Sequence, residues 1–239
     1  MIVDGINVVR ELLRASIKIE KIIAVDSENS EIVSIIDKAR AMGIKTIVLE
    51  KKEFDRKIKN KNQGVVAYIP EFEYCEVNDI LNTAEKKGEK PFIVILDGIT
   101  DPHNLGAIIR TCECAGVHGV IIAENRACEI TDTVYRTSAG AVIHMNVAKV
   151  VNLTRTIKEL QKIGVWVYAL EAGNKKLYEA DFTYPTALIV GSEGKGVSRL
   201  VRETADEVLS LDMFGYVNSL NASNASAISV YEVVRQRRK

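Results

Sequence analysis

Pro91-Phe92-Ile93-Val94-Ile95-Leu96-Asp97-Gly98-Ile99-Thr100-Asp101-Pro102-His103-Asn104-Leu105-Gly106 decides the architecture of this 239-residue chain. Phe92 to Leu96 is an apolar run without alternation, the pattern of a strand buried on both faces and so of a parallel sheet, and the strand is expected over Phe92–Asp97. Asp101-Pro102 is a turn signal, and Asn104 suits a helix N-cap. Ile108, Ile109 and Cys112 then recur at the spacing of one helix face, which predicts a helix over Leu105–Ala115. Strand, loop and helix in that order form one βα unit.

The same pattern repeats downstream. Strands are expected at Gly119–Ile122, Val142–Val147, Val165–Leu170, Ala187–Val190 and Val208–Leu211, and helices at Asn152–Ile163 and Ala222–Arg237. Apolar strands alternating with helices predict an α/β fold with a mainly parallel sheet covered on both faces. Upstream, residues 1–70 read as a smaller α/β module. Val8, Leu12 and Leu13 follow helical spacing, as do Ile32, Ile35, Ile36 and Ala39, and strands fall at Ile22–Val25, Ile44–Leu49 and Val65–Ile69. Residues 71–90 hold six acidic and three basic side chains and read as a linker with a lead-in helix. The expected organisation is therefore 1–70, 71–90 and 91–239.

Composition narrows the function. Hydrophobic residues make up 47% of the chain, enough for a sizeable core. No secretory signal opens the sequence, and no apolar stretch approaches the ~20 residues of a membrane span, so a cytoplasmic protein without membrane contact is expected. The four cysteines, Cys75, Cys112, Cys114 and Cys128, show no C-x-x-C spacing, and no metal site is expected. His118 and His144 read as packing or surface residues, and Trp166 as core.

Ligands of open α/β sheets gather at the carboxyl ends of the strands. Three such ends are unusual here. The first is the quoted loop, whose helix carries Arg110 off its apolar stripe. The second is Val190-Gly191-Ser192-Glu193-Gly194-Lys195-Gly196-Val197, with three glycines in six residues. Glycine permits positive φ and close approach of backbone to ligand, but this is neither a Walker loop nor G-x-G-x-x-G. A nucleotide-dependent dehydrogenase therefore lacks its fingerprint. The third runs from Leu211-Asp212-Met213 to Ser219-Leu220-Asn221-Ala222-Ser223, apolar walls with few polar groups, as an adenine-bearing ligand needs. Asn221 or Ser223 suits the N-cap of the last helix.

In this order the three loops resemble the motifs of the SpoU (TrmH) branch of the SPOUT RNA methyltransferases. Arg136-Thr137-Ser138-Ala139-Gly140-Ala141 also resembles a run of that family. The front module resembles an L30e-like substrate-binding domain, from Gly5-Ile6-Asn7-Val8-Val9-Arg10-Glu11 to Asn62-Gln63-Gly64-Val65-Val66-Ala67. The pairing is similar to the RlmB type, which methylates a guanosine ribose of 23S rRNA. The resemblance implies a C-terminal α/β knot, a deep trefoil, that binds S-adenosylmethionine, and a homodimer. Carried over by motif, Asn104, Arg110, Glu193, Ser219 and Asn221 are the expected catalytic-site residues. Gly191, Leu211, Met213 and Leu220 are expected to frame the cofactor. His103 occupies a variable slot. Two departures stand out. Asp212 replaces a usual proline, which predicts a less rigid cofactor loop, and Asn62 replaces a histidine frequent in the RlmB type. Relatives with these motifs act on tRNA or rRNA, and an RNA-binding module with a vestigial site is the non-enzymatic alternative.

Lys plus Arg and Asp plus Glu both number 32, so the chain is formally neutral. Neutrality hides local asymmetry. Residues 51–61 hold six basic and two acidic side chains, and residues 235–239 add four basic ones. The first run lies in the module that resembles a substrate-binding domain, so phosphate contact is expected there.

Overall fold

The computed structural model describes residues 1–59 and 62–238. The chain forms two compact units, one from Met1–Glu73 with Ile130–His144, the other from Tyr74–Glu129 with Met145 onward.

The first unit begins with β1 (Ile2–Asp4), α1 (Ile6–Arg14), β2 (Lys21–Val25), α2 (Ser30–Ala41), β3 (Thr46–Leu49), α3 (Lys51–Lys57) and β4 (Val65–Tyr68). Its sheet has the order β1-β4-β2-β3, with β2 and β3 parallel and β4 antiparallel to both neighbours. Val8, Val9, Leu12 and Leu13 of α1 and Ile32, Ile35, Ile36 and Ala39 of α2 are buried, as their spacing predicts. The basic run is in part a helix: Phe54 of α3 is buried and Lys57 pairs with Glu53 at 2.8 Å. Asn60 and Lys61 of that run lie outside the described residues.

The second unit opens with α4 (Val77–Lys87), β5 (Phe92–Asp97), α5 (Pro102–Ala115) and β6 (Gly119–Ala123). The chain then enters the first unit through α6 (Asp132–Thr137) and a 3-10 turn at Ala141–His144. It returns with β7 (Val147–Val150), α7 (Leu153–Lys162), β8 (Trp166–Lys176), β9 (Thr186–Gly191), α8 (Arg199–Thr204), β10 (Glu207–Ser210) and α9 (Ala222–Arg237). The six strands run β10-β8-β9-β5-β6-β7, all pairs parallel. Ile93, Ile95, Ile121, Val167 and Ile189 pack with Ile80 of α4, Ile157 and Leu160 of α7 and Val201 of α8. Ile108, Ile109, Val230 and Val233 of α5 and α9 are also fully buried, and those two helices pack together. Each fully buried Leu, Ile or Val contributes about 1.5–3 kcal/mol, which explains why the helices hold to this sheet.

Three local expectations give way to tertiary context. Residues 142–147 are not one strand. Ala139 (φ 53) and Gly140 (φ 88) turn the chain sharply, a 3-10 turn follows, and the strand starts at Val147. The N-cap of α5 is Asp101, whose carboxylate accepts from the His103 N–H at 3.0 Å with Pro102 in the first turn, and not Asn104. Trp166 begins β8 at 46% exposure and is not core.

The basic tail is engaged by the fold itself. Arg237 donates to the carbonyls of Phe182, Lys90, Pro91 and Tyr184 at 2.6–3.2 Å and stacks over Phe92 at 5.2 Å. Arg235 pairs with Glu232 at 2.7 Å. Arg237 thus ties the end of the chain to four carbonyls, while Arg235 is paired within α9.

His118 links stability to pH. It is 2% exposed; its Nδ1 accepts from the Phe92 N–H at 3.0 Å, which places the proton of the neutral ring on Nε2, 2.9 Å from Glu89. Burial lowers its pKa from 6.5, against the pull of Glu89. Above pH 6.5 the folded and unfolded chains are both neutral here. As pH falls below 6.5 the unfolded chain binds a proton first, so stability declines until the folded ring also titrates. Urea midpoints at pH 7, 6 and 5 should therefore fall less steeply in His118→Asn, by up to about 1.4 kcal/mol per pH unit. An unchanged pH slope in the variant refutes this account.

Candidate active site

Strand order locates the site. From β5 the sheet extends one way through β6 and β7, and the other way through β9, β8 and β10. The switch point therefore lies between β5 and β9, whose last residues, Asp97 and Gly191, are register partners. Ligand crevices form outside the carboxyl ends of strands at such points, because the loops leave in opposite directions.

Three loops meet there through side chains. Asn221 is the N-cap of α9, its Oδ1 accepting from the Ser223 N–H at 2.9 Å and the Ser223 hydroxyl at 2.5 Å. That fixes its amide nitrogen, which donates to Asn104 Oδ1 at 2.9 Å and to Glu193 Oε1. Asn104 in turn donates to Glu193 Oε1 at 3.2 Å. Because Asp101 caps α5, Asn104 is free for this role. The triangle ties the β5–α5, β9–α8 and β10–α9 connections together, although the three residues are 89 and 117 positions apart in two of its sides.

The glycines of the second loop explain its shape. Ser192 and Gly196 exchange backbone hydrogen bonds at 3.1 and 2.9 Å, closing a tight turn. A Cβ at Gly191 would overlap the Gly196 carbonyl carbon and the Val197 amide nitrogen, and one at Gly196 would overlap the Glu171 carboxylate. Glu171 accepts from the Val197 N–H at 2.9 Å, and Asp97 accepts from the Ser198 N–H at 2.7 Å. Neither carboxylate stands out in the sequence as a site residue. Asp97 was visible as the last residue of its strand, whereas nothing local marks Glu171.

Arg110 lies on α5 six residues beyond Asn104, about 9 Å along the helix axis. It is exposed and makes no hydrogen bond or ion pair among the described residues, and Glu193 is directed to the two asparagines and not to it. Ser219 is likewise exposed without a hydrogen bond among the described residues. Leu211 is half-buried, while Met213 and Leu220 are 37% and 39% exposed on the same loop. Asp212, which stands where the resemblance leads one to expect proline, is held by two side chains. Lys176 pairs with it at 2.8 Å and the Tyr178 hydroxyl donates to it at 3.1 Å. The lysine hydrogen bond holds the Asp212 carboxyl below its ordinary value.

Among the described residues no group of three or more His, Cys, Asp or Glu side chains could hold a metal ion. Among the described residues no helix is long and apolar enough to cross a membrane.

The fold and site together define an open α/β sheet whose topological switch point carries three loops tied to one another. Residues 91–231 match the model of the SpoU rRNA methylase family, and residues 2–75 match a model for RNA 2′-O ribose methyltransferase substrate binding. The chain belongs to the SpoU family and is an RNA methyltransferase of that family. It is 41% identical over 237 residues to YacO of Bacillus subtilis (strain 168), provisionally named a TrmH family tRNA/rRNA methyltransferase; the match covers 98% of this chain and 95% of that protein. The SpoU methyltransferase AviRb from Streptomyces viridochromogenes, solved in complex with AdoMet, superposes with a TM-score of 0.83 at 24% identity over 100% of this chain and 90% of its own. The A. aeolicus TrmH/SpoU tRNA modifying enzyme has a TM-score of 0.57 at 32% identity, covering 63% of this chain and 77% of its own.

Proposed function

We propose that this protein transfers a methyl group from S-adenosylmethionine to a ribose 2′-hydroxyl of RNA, with a guanosine of 23S rRNA as the target. The observation that carries the reading is the Asn104–Glu193–Asn221 triangle, which closes three loops around a glycine-shaped turn. The residues present fit the cofactor. The turn at Gly191 is so close-packed that a Cβ there overlaps the backbone of Gly196 and Val197, and Leu211, Met213 and Leu220 offer partly exposed apolar side chains on the third loop. Backbone amides and apolar walls suit an adenine ring, so these four residues would hold the adenosine part. When bound, S-adenosylmethionine supplies an electrophilic sulfonium methyl.

The chain's own residues then position the acceptor. A guanidinium stays protonated in proteins, so Arg110 is not the base. With its donors unengaged, it clamps a backbone phosphate of the substrate and sets the adjacent hydroxyl in line. Ser219 adds a hydrogen bond to the substrate from the third loop. Asn104, Glu193 and Asn221 hold the loops at the spacing this needs. The trefoil knot belongs to this same reading, on a sheet in which β9 lies between β5 and β8. Exposed Phe214 and Val217 on the third loop and Ile228 and Tyr231 on α9 support a homodimer.

The test is to map 2′-O-methyl groups in rRNA and tRNA from cells with and without the gene. One rRNA guanosine that loses its methyl group is the expected result. Loss confined to tRNA refutes the rRNA assignment, and no loss together with no binding of S-adenosylmethionine favours a binding module.

A further inference from the structure

The first unit contains a cavity that the catalytic reading leaves unused. Its volume is about 210 Å³, and Asp4, Asn7, Asn62, Gln63, Arg136 and Ala139 stand in its wall. That is smaller than the roughly 300–1,000 Å³ of sites for drug-sized ligands, and it suits one planar ring system. Arg136 reaches it because the run Arg136–Ala141 folds with the N-terminal module.

Its polar groups are arranged for a ligand. The Asp4 side chain is 9% exposed, and Arg136 Nη1 meets its Oδ1 at 3.2 Å. That contact is single; Asp4 Oδ2 accepts no hydrogen bond from another side chain among the described residues. Burial pushes the Asp4 carboxyl up, and the guanidinium opposes that. Gln63 spends its Oε1 on the Ile6 N–H at 2.8 Å, which leaves its amide nitrogen as a donor without a partner among the described residues. The wall thus presents a buried carboxylate acceptor next to guanidinium and carboxamide donors.

We propose that this cavity is a subsite for one guanine base of the RNA, read by Asp4 and Arg136. Guanine alone among the four bases carries two neighbouring donors, N1–H and the N2 amine, on the edge that also carries the O6 acceptor. A carboxylate takes both donors, and the flanking guanidinium and amide donors suit O6. Adenine presents a ring-nitrogen acceptor where guanine has N1–H, and that faces the carboxylate lone pairs. A base in such a cavity is unstacked, as in sequence-specific recognition of single-stranded RNA. The proposal rests on the RNA methyltransferase reading and deepens it, since the pocket belongs to the unit that matches the substrate-binding model.

The experiment titrates the full-length protein with 5′-GMP, 5′-IMP and 5′-AMP, which share ribose and phosphate, and follows binding by amide chemical shifts. GMP is expected to bind about tenfold or more tighter than AMP, with IMP, which lacks the N2 amine, in between. Asp4→Asn should erase the preference. Asn7→Trp, at an exposed position on the rim, should block GMP while leaving the fold intact if the buried Asp4 variant does not fold. An RNA hexamer with one guanosine should displace GMP, and an all-adenosine hexamer should not. Equal affinity for GMP and AMP, or a GMP preference that survives Asn7→Trp, overturns the proposal. Failure of the guanosine hexamer to compete overturns the RNA assignment in favour of a free nucleotide. Binding of S-adenosylmethionine, measured by calorimetry on the same samples, reports separately on the methyltransferase reading and should not change in either variant.

Discussion

Arg110→Ala should lower the rate of methyl transfer by about 10²–10³-fold or more, the loss typical when one preorganised charged or hydrogen-bonding group is removed from a reacting centre. Affinity for S-adenosylmethionine should stay at the wild-type value. The separation follows from geometry. Arg110 is exposed on α5 and has no hydrogen bond or ion pair among the described residues, so its loss costs the fold little. Its free donors point to a role with substrate. Arg110→Lys should be nearly as impaired, because a point charge does not reproduce the planar fork that holds a phosphate in two places. Single-turnover methylation with saturating S-adenosylmethionine, paired with calorimetry of cofactor binding, measures both quantities. Near-normal turnover in Arg110→Ala would falsify the assigned role, and a parallel collapse of cofactor affinity would move Arg110 into the cofactor site.

Gly191→Ala should act in the opposite way. Its Cβ would lie well inside 3.0 Å of the Gly196 and Val197 backbone, and backbone cannot swing aside as a side chain can. The Ser192–Gly196 bridge must open, and strain of this kind costs about 1–3 kcal/mol or more. Cofactor affinity should fall by about 10–100-fold if that cost is borne on binding, with a lower Tm where it is borne by the apo fold. Gly194→Ala is the control, since nothing lies within 4 Å of its Cβ and its φ of +78° adds only backbone strain. If both variants bind S-adenosylmethionine equally well, the turn is not the cofactor cradle.

Much of the fold was legible in sequence because buried parallel strands are written as unbroken apolar runs. Phe92–Asp97 was placed to the residue, and β6, β9 and β10 to within one or two. The helix faces of α1 and α2 followed from periodicity alone. Failures occurred where non-local contact overrides local pattern. Val142 and Ile143 read as strand, yet Ala139 and Gly140 reverse the chain before them. Trp166 reads as core by its type, yet it stands at the start of its strand. Arg237 reads as part of a basic tail, yet the carbonyls of Phe182, Lys90, Pro91 and Tyr184 absorb its donors.

The amino-acid sequence by itself determined the class of the protein and which loops carry its chemistry. Apolar runs demand burial, and glycine, asparagine and arginine recur in them at spacings that no core requires. Only the tertiary structure decided how those residues meet. It made Asp101 the cap and so released Asn104; it turned Glu193 to the two asparagines; it restrained Asp212 with Lys176 and Tyr178; and it carried Arg136 to Asp4, 132 residues away. Hydrogen bonds act over about 3 Å of space and are indifferent to distance along the chain, so such pairings exist only once the sheet order has set which strand ends are neighbours.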